Sequence, residues 1–86
     1  DYGLITRVVP DSDVQDEALA LTTKLAAGPT IAFGTAKRLL HTSLEDTFET
    51  HLPGEADGIE HATTTRDARE GIAAFVEKRP ADFRGQ

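Results

Sequence analysis

The sequence lacks cysteine, methionine and tryptophan, and it has only nine basic residues against fifteen acidic ones, a formal net charge of −6. Without cysteine, disulfides and thiolate metal sites are excluded. The excess of acid disfavours binding to free nucleic acid. No apolar run approaches the roughly 18 residues that a membrane span needs. We therefore expect a soluble, cytoplasmic protein that binds neither nucleic acid nor a membrane.

Apolar side chains are also scarce, at 38% of the 86 residues. This length suits one small domain or part of a larger one, and a chain this short buries only about 60% of its unfolded surface. Helix packing or a partner must supply the remaining stability. Because the chain has no methionine and leads almost at once into an apolar run, we expect it to be part of a longer protein.

Residues 4–9 are mostly aliphatic or β-branched and are predicted to form a short strand. The strand ends at Pro10, because proline cannot donate to a ladder. No second run of this kind follows, so the strand needs a neighbour that this sequence does not contain. We interpret residues 1–10 as the last strand of a missing core domain and residues 11–86 as a C-terminal helical assembly segment.

The rest of the chain has helical periodicity. A first helix is predicted at about residues 13–27, because apolar residues recur at helical spacing up to the breaker Gly28-Pro29. A second helix starts with this proline in its first turn and ends near Thr42.

The next apolar stripe begins at Leu44, after a capping box formed by Ser43 and Asp46. Pro53 lies inside this stripe and costs about 3 kcal/mol in a helix interior. We therefore predict a break in this helix at 52–54, with both halves packed against one partner surface.

A last helix is predicted to begin with Thr65 or Asp67 as its cap and to stop before Pro80. Phe83 is the expected anchor of an otherwise loose tail. The predicted fold class is mainly α, with one short N-terminal strand followed by four to five helices.

Local chemistry gives no active site. The three histidines, His41, His51 and His61, are ten residues apart and share no helix face, and no metal-ligand spacing occurs. From Leu44 to Glu60 there are six acidic residues and no lysine or arginine. We interpret them as a solvated face, or a surface for a basic partner, rather than as catalytic carboxylates.

One cluster near the end of the chain has two interpretations. Phe75 lies one helical turn before Lys78 and Arg79. An aromatic face beside cations can stack a base and pair with a phosphate. Alternatively, the aromatic residue belongs to the core and the cations only complement the helix dipole, which composition alone favours.

With these residues, the chain resembles the C-terminal third of the enoyl-CoA hydratase/isomerase (crotonase) family. The resemblance covers nearly all 86 residues. The motifs that carry it are Gly3-Leu4-Ile5-Thr6-Arg7-Val8-Val9-Pro10, Leu25-Ala26-Ala27-Gly28-Pro29, Ala36-Lys37-Arg38-Leu39-Leu40, Asp67, Glu70-Gly71-Ile72, and Ala74-Phe75-Val76-Glu77-Lys78-Arg79-Pro80 with Phe83.

The resemblance implies a parent protein with a spiral β/α core, whose C-terminal helices form a trimer or a dimer of trimers. It also implies action on acyl-CoA thioesters, with coenzyme A as part of the substrate and no prosthetic group. In this family two backbone amides hold the thioester oxygen and acidic side chains move protons. Both elements precede the matched region, so no catalytic residue is expected in this chain.

The resemblance also assigns three binding positions. The residue matching Phe75 lies near the adenine of coenzyme A and the one matching Lys78 near its phosphates, often in a neighbouring subunit's site. The position of Ile59 borders the acyl pocket. The family usually has an uninterrupted helix where this sequence has Leu52-Pro53-Gly54.

The leading hypothesis is a C-terminal oligomerisation and CoA-contacting segment of an enoyl-CoA hydratase or isomerase, inactive by itself. Its partners are the upstream core of the same protein and further copies of the chain. The alternative is a stand-alone helical protein-interaction module without enzymatic activity, which binds through the stripe from Leu44 to Ile59.

Overall fold

The computed structural model describes residues 3–86, which form four α-helices after a short 3-10 turn. The turn is Asp11–Asp13, and the helices are α1 (Val14–Ala26), α2 (Thr30–Thr42), α3 (Phe48–Thr64) and α4 (Arg66–Glu77). The observed ends of α1, α2 and α4 lie within a few residues of the predicted ones. The mainly α class is therefore confirmed.

The predicted N-terminal strand at residues 4–9 is not observed in the described part of the chain. No β-ladder forms within residues 3–86, and the first two residues of the predicted strand unit 1–10 lie outside the described part. β-branched residues fit a pleated, half-buried surface, but a strand also needs a neighbour for its N–H and C=O groups. The segment instead contacts α1 through Arg7, whose Nη1 lies 2.5 Å from Glu17 Oε2.

Helices α2 and α3 pack as an antiparallel pair through small residues. A methyl group added to Gly58 would lie only 2.8 Å from Cγ2 of Thr35 and 3.3 Å from Cδ1 of Leu39. One turn earlier on α3, a methyl group on Gly54 would lie 3.5 Å from Cδ2 of Leu39, an ordinary contact distance. The two helices therefore approach most closely at Gly58, which is buried.

This geometry gives opposite expectations for two glycine variants of one helix. Gly58→Ala should lower the free energy of unfolding by about 1 kcal/mol, because the overpacking at Thr35 outweighs the better helix propensity of alanine. Gly54→Ala should raise it by about 0.5–1 kcal/mol, because only the propensity changes. Urea denaturation followed by circular dichroism measures both values. Equal effects of the two variants would contradict the close approach at Gly58.

The break predicted at 52–54 is also wrong, because α3 is continuous and contains Pro53. The first turn of α3 is closed separately, by bonds from Thr50 N to Thr47 Oγ1 at 3.3 Å and from His51 N to Thr47 O at 2.9 Å. Pro53 therefore removes a single bond, to the carbonyl of Glu49, on an exposed face that water can reach. The departure from the family's usual sequence leaves the helix intact.

The predicted capping box of Ser43 and Asp46 does not form. Ser43 follows the last residue of α2, and its Oγ donates to Leu40 O at 2.8 Å. The chain then turns through a bond from Asp46 N to Thr42 O at 3.0 Å, and α3 starts later, at Phe48, with Thr47 as its N-cap.

The helices form an open layer with little core. The Cα radius of gyration is 16.2 Å, against about 12 Å for a compact domain of this length. Ala74, 2% exposed, is the one buried apolar side chain of the described part, and large apolar residues of all four helices are exposed. Of the described helices, none is both long and apolar enough to cross a membrane.

Candidate functional site

An apolar groove of about 480 Å³ lies between α2, α3, α4 and the C-terminal tail, residues 78–86. Ile59 of α3 and Phe75 of α4 both line it, together with Phe83 of the tail. The structure thus brings two of the three predicted binding residues to one concave surface. Phe75 is 84% exposed within the described part of the chain.

Lys78, the third predicted residue, ends α4 in a left-handed conformation with φ 53° and ψ 41°. Among the described residues other than glycine, Lys78 alone has a positive φ. A residue with a Cβ pays roughly 1–2 kcal/mol for this conformation, which glycine adopts freely. Its backbone N–H donates to Phe75 O at 3.3 Å, which places it one turn beyond the aromatic ring.

The two adjacent cations have different surroundings. Arg79 Nη1 and Nη2 lie 2.5 and 2.9 Å from the two carboxylate oxygens of Glu70, and its Nε lies 2.5 Å from Glu77 Oε2. The side chain of Lys78 makes no hydrogen bond or ion pair with residues 3–86. Of the predicted cation pair, Lys78 is therefore available to a ligand, whereas Arg79 stabilises the end of α4.

The tail is held to α4 by main-chain hydrogen bonds that the sequence does not reveal. Asp67, only 4% exposed, accepts from Arg84 N and Gly85 N, both at 2.8 Å. Its own N–H donates to Gln86 O at 2.9 Å. The helix cap is Thr65, whose Oγ1 accepts from Ala68 N at 3.0 Å. Of the two caps considered from the sequence, Thr65 is confirmed and Asp67 is wrong.

Glu70 forms the second attachment of the tail. The hydrogen bonds from Arg79 and then from the backbone N–H of Asp82, at 2.8 Å, lower the pKa of Glu70 from 4.5 to about 2. The same contact raises the pKa of Arg79 above its usual range. We call Asp67, Glu70 and the tail amides that they bind the tail clamp.

The lowered pKa of Glu70 predicts acid sensitivity of the tail. Because its folded-state pKa is lower than its unfolded-state value, this contact stabilises the fold above about pH 4.5, and its contribution is lost as the pH falls towards about 2. Glu70→Gln should remove this part of the acid dependence. Urea denaturation between pH 2 and 6 measures it. Parallel stability–pH curves for the variant and the unmodified protein would contradict this prediction.

A second groove, of about 610 Å³, lies between α2 and α3 and also includes Ile59. At its edge His51, whose side chain is 17% exposed, lies 3.2 Å from Asp46 and 3.5 Å from Glu55. Two members of the acidic run therefore serve as partners of a histidine. Within residues 3–86, no three or more histidine or acidic side chains are arranged so that they could hold a metal ion.

Comparison with known proteins gives the family. All residues of the chain, 1–86, match the model of the enoyl-CoA hydratase/isomerase family. The chain belongs to this family. Its membership confirms the resemblance inferred from the sequence motifs.

Relatives and a solved structure agree with this family. The chain is 38% identical over 84 residues to a probable enoyl-CoA hydratase of Rhodobacter capsulatus, covering 98% of this chain and 33% of that protein. It is 35% identical over 86 residues to the 1,2-epoxyphenylacetyl-CoA isomerase of Escherichia coli, covering 100% of this chain and 33% of that protein.

The backbone is similar to the crystal structure of an enoyl-CoA hydratase from Geobacillus kaustophilus, with a TM-score of 0.90 and 27% sequence identity. This match covers 98% of the chain and 32% of the hydratase. The chain thus spans about a third of the length of the proteins that it matches.

Proposed function

We propose that this chain is the C-terminal oligomerisation and CoA-contacting segment of an enoyl-CoA hydratase or isomerase that acts on acyl-CoA thioesters. The names of its relatives support this proposal, since they include both a hydratase and an isomerase of CoA thioesters. The catalytic residues lie outside the segment, which alone is inactive. The cytoplasmic location predicted from the sequence is part of the proposal.

The observation that carries the proposal is the pairing of Phe75 with Lys78. An exposed aromatic ring offers a face for a nucleobase, and a lysine without a protein partner one turn away offers charge for phosphate. Lysine at a left-handed position costs stability that glycine would not, and such strain concentrates at functional sites. We assign Phe75 to the adenine and Lys78 to the phosphates of coenzyme A.

Ile59 is assigned to the acyl side of the substrate. It lines both grooves, and the apolar residues Ala32 and Ala62 line both grooves with it. An apolar wall suits an acyl chain, since burial of each methylene contributes about 0.8 kcal/mol. In this proposal coenzyme A is part of the substrate, and no prosthetic group is required.

The proposed partners are the remaining core of the same protein and further copies of the chain, in a trimer or a dimer of trimers. The open layer and its exposed apolar residues support this, because such a surface is stabilised by covering it. The stripe from Leu44 to Ile59 would equally serve a different protein partner. In that second candidate, a stand-alone interaction module, coenzyme A would not bind.

Calorimetric titration of the protein with free coenzyme A tests the proposal. Phe75→Ala should raise the dissociation constant about tenfold, because loss of one stacked base costs about 1–3 kcal/mol. Lys78→Asn should raise it about tenfold through loss of a charge-assisted contact, and asparagine tolerates the left-handed backbone.

Lys24→Ala on α1 is the matched control and should leave the affinity unchanged. Affinities of the Phe75 and Lys78 variants within twofold of the unmodified protein would refute the assignment. No measurable binding by the unmodified protein would favour the stand-alone module.

A further inference from the structure

Phe83, the expected anchor of the tail, lies against α4 and also lines the groove. A methyl group added to Gly71 would lie 3.4 Å from Cε1 of Phe83, so the ring lies over the backbone of α4 where a side chain is missing. Gly71 and Phe75 are four residues apart and thus share one helix face. Phe83 is only half-buried, and both rings line the same groove.

The tail clamp fixes the backbone on both sides of this ring. Before it, Asp82 N donates to Glu70, and after it, Arg84 N and Gly85 N donate to Asp67. Each acceptor is a carboxylate, and hydrogen bonds of this kind are roughly twice as strong as neutral ones.

A third contact joins the tail to α2. Gly85 has a φ of +70°, and a methyl group added there would lie 2.6 Å from Oγ1 of Thr30, the first residue of α2. The tail therefore spans from α4 to α2 along one side of the groove.

We propose that Phe83 is a second aromatic residue of the coenzyme A site and that its ring contacts the adenine together with Phe75. This rests on the proposed function. Two rings on one apolar groove, with a cation one turn beyond, suit a planar base that carries phosphates. The tail thus contributes directly to ligand binding.

The test compares two ligands. Free coenzyme A contains the adenine, whereas acetyl-pantetheine lacks the nucleotide. Phe83→Leu keeps an apolar side chain without a ring, and should raise the dissociation constant for coenzyme A about fivefold while changing that for acetyl-pantetheine less than twofold. Phe83→Tyr keeps the ring and should restore the affinity of the unmodified protein.

A second measurement needs no variant. In the unmodified protein with coenzyme A bound, nuclear Overhauser effects should connect the adenine protons with ring protons of both Phe75 and Phe83. Effects to Phe75 alone would overturn the role of Phe83, even if Phe83→Leu fails to fold.

The outcomes separate the two proposals. If Phe75→Ala weakens coenzyme A binding but Phe83→Leu does not, the tail is structural, and the proposed function stands without this inference. Equal weakening of both ligands by Phe83→Leu would place the ring away from the adenine and also overturn the inference. If neither variant affects binding, the proposed function fails as well.

Discussion

Replacing Asp67 with alanine should lower the free energy of unfolding by about 3 kcal/mol. The carboxylate is buried and accepts two backbone N–H groups of the tail at 2.8 Å. Hydrogen bonds to a charged group contribute roughly 1.5–3 kcal/mol each, and the abandoned amides then lose their acceptor. The two bonds together would contribute roughly 3–6 kcal/mol. Because the amides of the released tail can bind water instead, we expect a loss of stability near the lower end of this range.

Urea denaturation measures this effect, with Asp57→Ala of the exposed face of α3 as the matched control. The control should change stability by less than about 0.5 kcal/mol, as surface substitutions usually do. Asp67→Asn should give an intermediate loss of stability, because asparagine has one acceptor oxygen where the carboxylate has two. If Asp67→Ala and Asp57→Ala were equally stable, the clamp would not hold the tail in solution.

Replacing Phe48 with aspartate should dissociate the proposed oligomer. Phe48 is 74% exposed and lies on the apolar stripe from Leu44 to Ile59, which we propose as part of the interface between copies. A buried aromatic anchor of an interface contributes at least about 2 kcal/mol, which corresponds to roughly a thirtyfold weaker association. Since Phe48 is the first residue of α3, an aspartate there suits the helix dipole and should leave the helix intact.

Sedimentation at several concentrations measures the association, with Glu49→Gln as the control at the neighbouring position. The control should sediment like the unmodified protein. An unchanged oligomer after Phe48→Asp would show that the stripe is not the interface, and a protein that is monomeric before any substitution would contradict the assembly role altogether.

The helices could be predicted because their signals are local. Apolar spacing, Gly28-Pro29 and the Thr65 cap act within one or two turns, and each is confirmed. The effect of Pro53 on α3 was predicted wrongly, because the average cost of a proline in a helix does not show whether water can reach the carbonyl that loses its hydrogen bond. The strand at 4–9 is not observed for a different reason, since pairing depends on a neighbouring strand rather than on the segment's own residues.

The candidate site was only partly visible in the sequence. Phe75 and Ile59 were found through the family motifs, and the fold brings them to one groove. The sequence did not reveal the tail clamp, because the partners of Asp67 and Glu70 are main-chain amides, which every residue type except proline supplies. The sequence also did not reveal the left-handed conformation of Lys78, because the left-handed residue at the end of a helix is usually glycine.

A crystal structure of the protein with a bound acyl-CoA thioester tests the central claim most directly. The account predicts the adenine ring within about 4 Å of the Phe75 ring, and a phosphate oxygen about 2.8 Å from Lys78 Nζ. The acyl chain should extend towards Ile59. A thioester bound with Phe75 and Lys78 both facing solvent, away from the nucleotide, would contradict the account.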